Sequence, residues 1–198
     1  MSSGWKLFNK NIAYLRTSGV TRLARRYFVM NSFDGALTTI GLLMGAFVGG
    51  LRDPHSILAV SISTAIAIGL SGAWGTFLTE QAERKRELKE WEHILLRKLD
   101  KTDIASAQRF AAYYVAAIDG LSPLLASIII ISPFALLNAN VELLYAYSFG
   151  LGAIVLFSLG VFLGRLSKEN SLLLGVKMLL AGVAASAISF LLLNGKMS

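Results

Sequence analysis

The chain has 198 residues, of which 55% are hydrophobic and only 16% charged, with a formal net charge of +7. A soluble domain carries about 25% charged residues, so this balance indicates a membrane protein. Cysteine is absent, which excludes a disulfide framework, thiolate zinc sites and iron–sulfur ligation.

The two histidines are His55 and His93, so a metal site here would rest on oxygen ligands. Oxygen ligands suit hard or borderline divalent ions. The basic excess does not point to nucleic acid, because Lys and Arg flank the apolar runs, where they set membrane orientation. Trp5 to Arg26 holds six basic residues, no acid and interleaved apolar residues at Trp5, Phe8, Ile12, Leu15 and Leu23. This pattern reads either as a basic amphipathic helix lying in the headgroup region or as a loosely ordered basic leader. It lacks the uninterrupted apolar core of a secretory signal.

A membrane crossing needs roughly 20 apolar residues. Five stretches qualify: Tyr27–Leu51, Ser56–Thr79, Phe110–Leu137, Leu143–Gly164 and Leu172–Leu193. The expected fold is therefore an all-α membrane protein of five transmembrane helices behind an N-terminal amphipathic helix. Its domains would be residues 1–26 as the basic segment and 27–198 as the membrane domain, with a charged cytoplasmic helical insert at about 80–109. Six basic residues before the first span, eight in the insert and two at Arg165 and Lys168 lie on one side. That bias predicts a cytoplasmic N-terminus and an external C-terminus.

Asp34 is the one ionisable side chain in the apolar part of the first span. A carboxylate at the centre of a crossing helix costs about 3 kcal/mol on insertion scales, so it marks a functional position, with a cation as its natural partner. Phe33-Asp34-Gly35 is echoed by Ile118-Asp119-Gly120 in the third span, at similar expected depth. Thr38, Thr39 and Ser122 add neutral oxygens, and Pro123 and Pro133 are expected to free carbonyls where the third helix breaks. Gly41, Gly45 and Gly49 stack on one face, where bare backbone admits a neighbouring helix. That stripe implies either close helix contact or ordinary bundle packing.

Glu80, Glu83, Glu87 and Glu90 share one helix face, with His93 three residues beyond Glu90. They read either as a solvated stripe paired as Glu80–Arg84, Glu83–Arg86 and Arg86–Glu90, or as a weak cytoplasmic metal trap. Lys177 reads either as a snorkelling cation or as a counter-ion to Asp34 or Asp119. Trp74, Tyr113, Tyr114, Tyr145 and Tyr147 fit interfacial aromatics. No nucleophile–base set is apparent, so no enzymatic activity is expected.

Asn31-Ser32-Phe33-Asp34-Gly35 with Gly41 and Gly45 resembles the first span of the vacuolar iron transporter family. Leu70-Ser71-Gly72-Ala73-Trp74-Gly75-Thr76, Gly120-x-x-Pro123 with Pro133, and Lys177 to Ala185 follow the family's order. The resemblance is to a divergent prokaryotic-type member with a shortened metal-binding insert. It implies a homodimer in the lipid bilayer, in the cell membrane of a prokaryote. It also implies ferrous iron or manganese as the transported ion, exchanged for protons along a path at the dimer interface, with no tightly bound cofactor and no nucleic acid partner. Asp34 would inherit the family's first-span ligand role. Gly72 and Thr76 stand where the family commonly has Met and Glu, and Asp119 is an acid in compensation. The alternatives are a non-transporting scaffold or partner-binding subunit, or a carrier of another solute on the same fold.

Overall fold

The computed structural model describes residues 20–99 and 102–194, so the expected helix before residue 20 lies outside the described residues. Those residues form five helices and no strand: α1 (Val20–Val48), α2 (Pro54–Leu95), α3 (Asp103–Leu136), α4 (Val141–Ser167) and α5 (Ser171–Asn194). All-helical architecture is what an apolar solvent permits, because each backbone N–H and C=O then finds a partner within its own segment. Helices α2, α3, α4 and α5 are each long and apolar enough to cross a membrane. Helix α1, at 29 residues, has the length but not the apolarity, since Asn31, Ser32, Asp34, Thr38 and Thr39 interrupt its apolar run.

Helix boundaries differ from the expected spans for local reasons. Helix α1 starts at Val20 and passes Tyr27 without a break, so Arg22, Arg25 and Arg26 stand on the same helix as Asp34. The charged insert takes in the last part of the 42-residue α2, which continues to Leu95, and the start of α3. Pro123 and Pro133 both lie inside a continuous α3, contrary to the expected break. At Pro133 the carbonyl four residues back, on Ile129, accepts the Ser132 hydroxyl at 2.8 Å. A side-chain hydroxyl thus substitutes for the missing backbone donor, as membrane helices tolerate proline.

The chain divides into two compact units, the first Met1–Phe28 with Leu70–Leu121, the second Val29–Gly69 with Ser122–Ser198. In the first unit Val20, Ala111 and Val115 form a small apolar cluster, flanked by Leu23, Tyr27, Phe110 and Tyr114. In the second, Ile40, Leu43, Ile57, Ile130, Phe134 and Leu156 pack around Tyr145. Tyr145 is 1% exposed and donates its hydroxyl to the Leu51 carbonyl at 3.1 Å. Its ring meets Phe47 and Phe134 edge-on at 5.2 and 5.1 Å. It is therefore a core residue rather than the interfacial aromatic expected, whereas Trp74, Tyr113 and Tyr147 are exposed.

Close packing falls on other glycines than the expected stripe. A Cβ at Gly41 would meet nothing within 4 Å, and one at Gly45 only Leu193 at 3.7 Å. By contrast, a Cβ at Gly35 would sit 2.5 Å from the Pro123 Cα, so α1 and α3 touch backbone to backbone there. Gly160 and Gly164 make the same close approach between α4 and α5. The Gly41–Gly45–Gly49 stripe thus contributes little to packing within the chain, because it lies on the side of α1 that turns away from the second unit's core.

Candidate cation site

The side chains singled out from sequence divide between the two units, and each set is described by itself. In the second unit, α1 buries Val29, Ser32, Ala36, Thr39, Ile40 and Leu43 along one face. The helical period of 3.6 then turns Met30, Asp34 and Thr38 outward, and all three are exposed. Asp34 makes no hydrogen bond or ion pair among the described residues. Lys177, on α5 in the same unit, is also exposed and does not pair with it. The counter-ion role offered for Lys177 towards Asp34 is not taken up.

Behind Asp34, on the buried side of α1, the hydroxyls are already engaged. Thr39 Oγ1 lies 2.8 Å from the Gly35 carbonyl and 2.8 Å from Ser127 Oγ, and Ser127 Oγ lies 3.4 Å from the same carbonyl. Ser32 donates to the Ser122 carbonyl at 3.4 Å. Thr39 and Ser122, expected as cation oxygens, are 5% and 1% exposed; they take part in the α1–α3 contact at Gly35 and Pro123. Thr38, on the outward face, is the hydroxyl that accompanies Asp34. Ser127 was not anticipated from sequence, although it lies four residues after Pro123 and on the same face of α3.

In the first unit Asp119 is buried at 4% exposure. Thr76 Oγ1 on α2 donates to Asp119 Oδ2 at 2.6 Å, the short length of a hydroxyl bond to a charged acceptor. A Cβ at Gly72, one turn before Thr76, would come within 3.1 Å of the same oxygen. Gly72, Thr76 and Asp119 thus converge at one carboxylate oxygen.

The charged extension of α2 carries the ion pairs its spacing indicated. Arg84 Nη2 meets Glu80 Oε2 at 2.9 Å, with both side chains largely buried. Arg86 pairs with Glu83 at 3.6 Å and with Glu90 at 3.3 Å, with all three side chains mostly exposed; each such pair contributes about 0.3–0.5 kcal/mol. Glu87 accepts from Gln108 Nε2 at 3.4 Å, and His93 is exposed. Among the described residues no three His, Asp or Glu side chains converge. Residues spaced three and four apart on a straight helix are strung along its axis at 1.5 Å per residue, so the stripe of Glu80, Glu83, Glu87 and Glu90 cannot close around one ion.

The turn before α2 is also built locally. Asp53 Oδ2 accepts from the Ser56 hydroxyl at 2.6 Å and its amide at 2.9 Å, capping the helix. These bonds hold the Asp53 carboxyl below its ordinary range, the Ser56 hydroxyl being the larger cause. His55 stands 4.0 Å from Asp53 with its side chain in solvent.

No family model matches the chain, and no solved structure matches it. It is similar to the uncharacterized protein MJ0645 of Methanocaldococcus jannaschii, with 34% identity over 170 residues, covering 84% of this chain and 87% of that protein. At that identity and coverage, the chain belongs to the same family as MJ0645.

Proposed function

We propose that the chain is a carrier of a divalent metal cation, ferrous iron or manganese, that exchanges the metal for protons across the cell membrane of a prokaryote. The observation that carries this reading is Asp34, an exposed carboxylate with no partner among the described residues, on the outward face of α1 between apolar turns. A charge in that setting is stabilised by a cation or by protonation. The resemblance of the first span to vacuolar iron transporters adds the cargo and the exchange mode, and Gly41, open beside the same face, leaves room for a second copy of α1. In a homodimer two Asp34 carboxylates and two Thr38 hydroxyls would meet across the symmetry axis and replace part of the ion's water shell.

Exchange follows from elementary electrostatics. An apolar surround disfavours the charged form of an acid, so a carboxylate that releases its metal there tends to take up a proton. Metal moving one way then returns protons the other way. Reconstituted into liposomes, the chain should couple manganese or ferrous iron uptake to proton release, and Asp34→Asn should abolish the coupled flux. Flux that persists in Asp34→Asn overturns the reading.

A second reading is supported by the bond between Thr76 and Asp119. A buried carboxylate satisfied by a hydroxyl can hold α2 against α3 without moving anything, as a membrane scaffold or partner-binding subunit would require. Asp119→Asn separates the two: loss of flux in a folded variant assigns Asp119 to the path, and unchanged flux assigns it to the helix contact.

A further inference from the structure

In the first unit, α2 and α3 enclose a pocket of about 340 Å³ just beyond Thr79, where the apolar part of α2 gives way to its charged extension. Its polar wall is cationic: Arg84, Lys85 and Arg109 line it, and no acid does. Phe77 and Tyr113 form the apolar wall, stacked at 4.8 Å. Lys85 and Arg109 are exposed and make no ion pair among the described residues.

Two buried polar atoms belong to side chains that line this pocket. Arg84 commits Nη2 to Glu80, while its Nε, a donor, has no partner among the described residues. Gln108 is 3% exposed; its Nε2 donates to Glu87, while its Oε1, an acceptor, has no partner among the described residues. Both atoms have almost no accessible surface, so an occupant of the pocket would meet Lys85, Arg109 and the aromatic wall instead. That occupant is anionic to suit Lys85 and Arg109, since Arg84 is already paired with Glu80. An arginine fork and a lysine are the usual donors to phosphate. The aromatic wall and the exposed Trp74 and Tyr113 are what an acyl chain would meet on leaving the headgroup level.

We propose that this pocket binds the phosphate headgroup of an anionic phospholipid such as phosphatidylglycerol. Basic residues at a membrane surface recognise anionic headgroups in this way. The same phosphate chemistry occurs in a soluble glycerol phosphate, so the test carries both sources.

The full chain, delipidated in detergent, is titrated with phosphatidylglycerol, with phosphatidylcholine and with glycerol 3-phosphate, and retained lipid is read by native mass spectrometry alongside thermal shift. The variants are Lys85→Gln with Arg109→Gln, and a charge-matched control, Lys89→Gln with Lys98→Gln, outside the pocket. Phosphatidylglycerol should bind in preference to phosphatidylcholine, weakening roughly tenfold or more in the pocket variant and little in the control. Glycerol 3-phosphate binding with the same variant pattern, while the two lipids bind alike, keeps the anion site but overturns the lipid as its source. Equal effects of the two variants, or no anion preference at all, overturn the site.

Discussion

Asp34 and Asp119 show how the same residue type takes two roles. Asp34 was legible as a charge in an apolar run, but its direction was not, because the face of α1 that turns outward depends on which residues the second unit buries. Asp119 was legible as an acid, whereas its bond to Thr76 joins residues 43 positions apart and no local pattern reports it. The ion pairs of Arg84 and Arg86 were readable because spacing on one helix fixes them. Thr76→Val keeps the volume and removes the donor to a buried carboxylate. It should lower stability by about 1–3 kcal/mol, read as a drop in thermal midpoint; an unchanged midpoint would deny the bond a structural role. Gly35→Ala forces a Cβ into the Pro123 backbone and should cost about 1–3 kcal/mol, while Gly41→Ala, with open space around it, should not destabilise the chain. Equal effects of the two substitutions would contradict the packing of α1 described above.

Among the elements, α2 and α3 are longer than the spans that composition marks out, because helix continues wherever backbone bonding is uninterrupted and charge does not stop it. Composition gave the apolar length of each crossing; it did not show that Pro133 would sit in an unbroken helix, since the Ser132 hydroxyl on Ile129 compensates. Tyr145 was misread for a related reason: it lies near the start of α4, as an interfacial aromatic would, but the Leu51 carbonyl gives its hydroxyl a partner inside the core. The start of α2 makes a pH prediction. Asp53 has a lowered pKa through Ser56, so its capping contribution is fully present above the ordinary carboxylate pKa of about 4 and is lost as pH falls through the lowered folded value. Asp53→Ala should fray the first turn of α2 at neutral pH, seen as faster amide exchange at Ile57, whose N–H donates to the Asp53 carbonyl. Asp53→Asn should keep the cap and lose its acid sensitivity. Exchange that rises on acidification equally in wild type and Asp53→Asn would contradict the assignment.

For the whole molecule, the sequence carried the helical class and the membrane setting, and the described helices agree with both. The partition into two units was not readable, because it cuts α2 and α3 partway along their length at points that no composition change marks. The proposed homodimer depends on the outward face of α1. Gly41→Leu should therefore leave the chain folded, since a Cβ there meets nothing within 4 Å, and shift the detergent-solubilised protein from dimer to monomer in light scattering. An unaltered mass would exclude that face as the interface. The most direct test of the account is an anomalous difference map from crystals of the chain soaked in manganese. A peak bonded to the Asp34 carboxylates of two copies, absent in Asp34→Asn, is the expected result; a map with no density at Asp34, or with metal only along the Glu80–Glu90 stripe, would rule out Asp34 as the metal ligand.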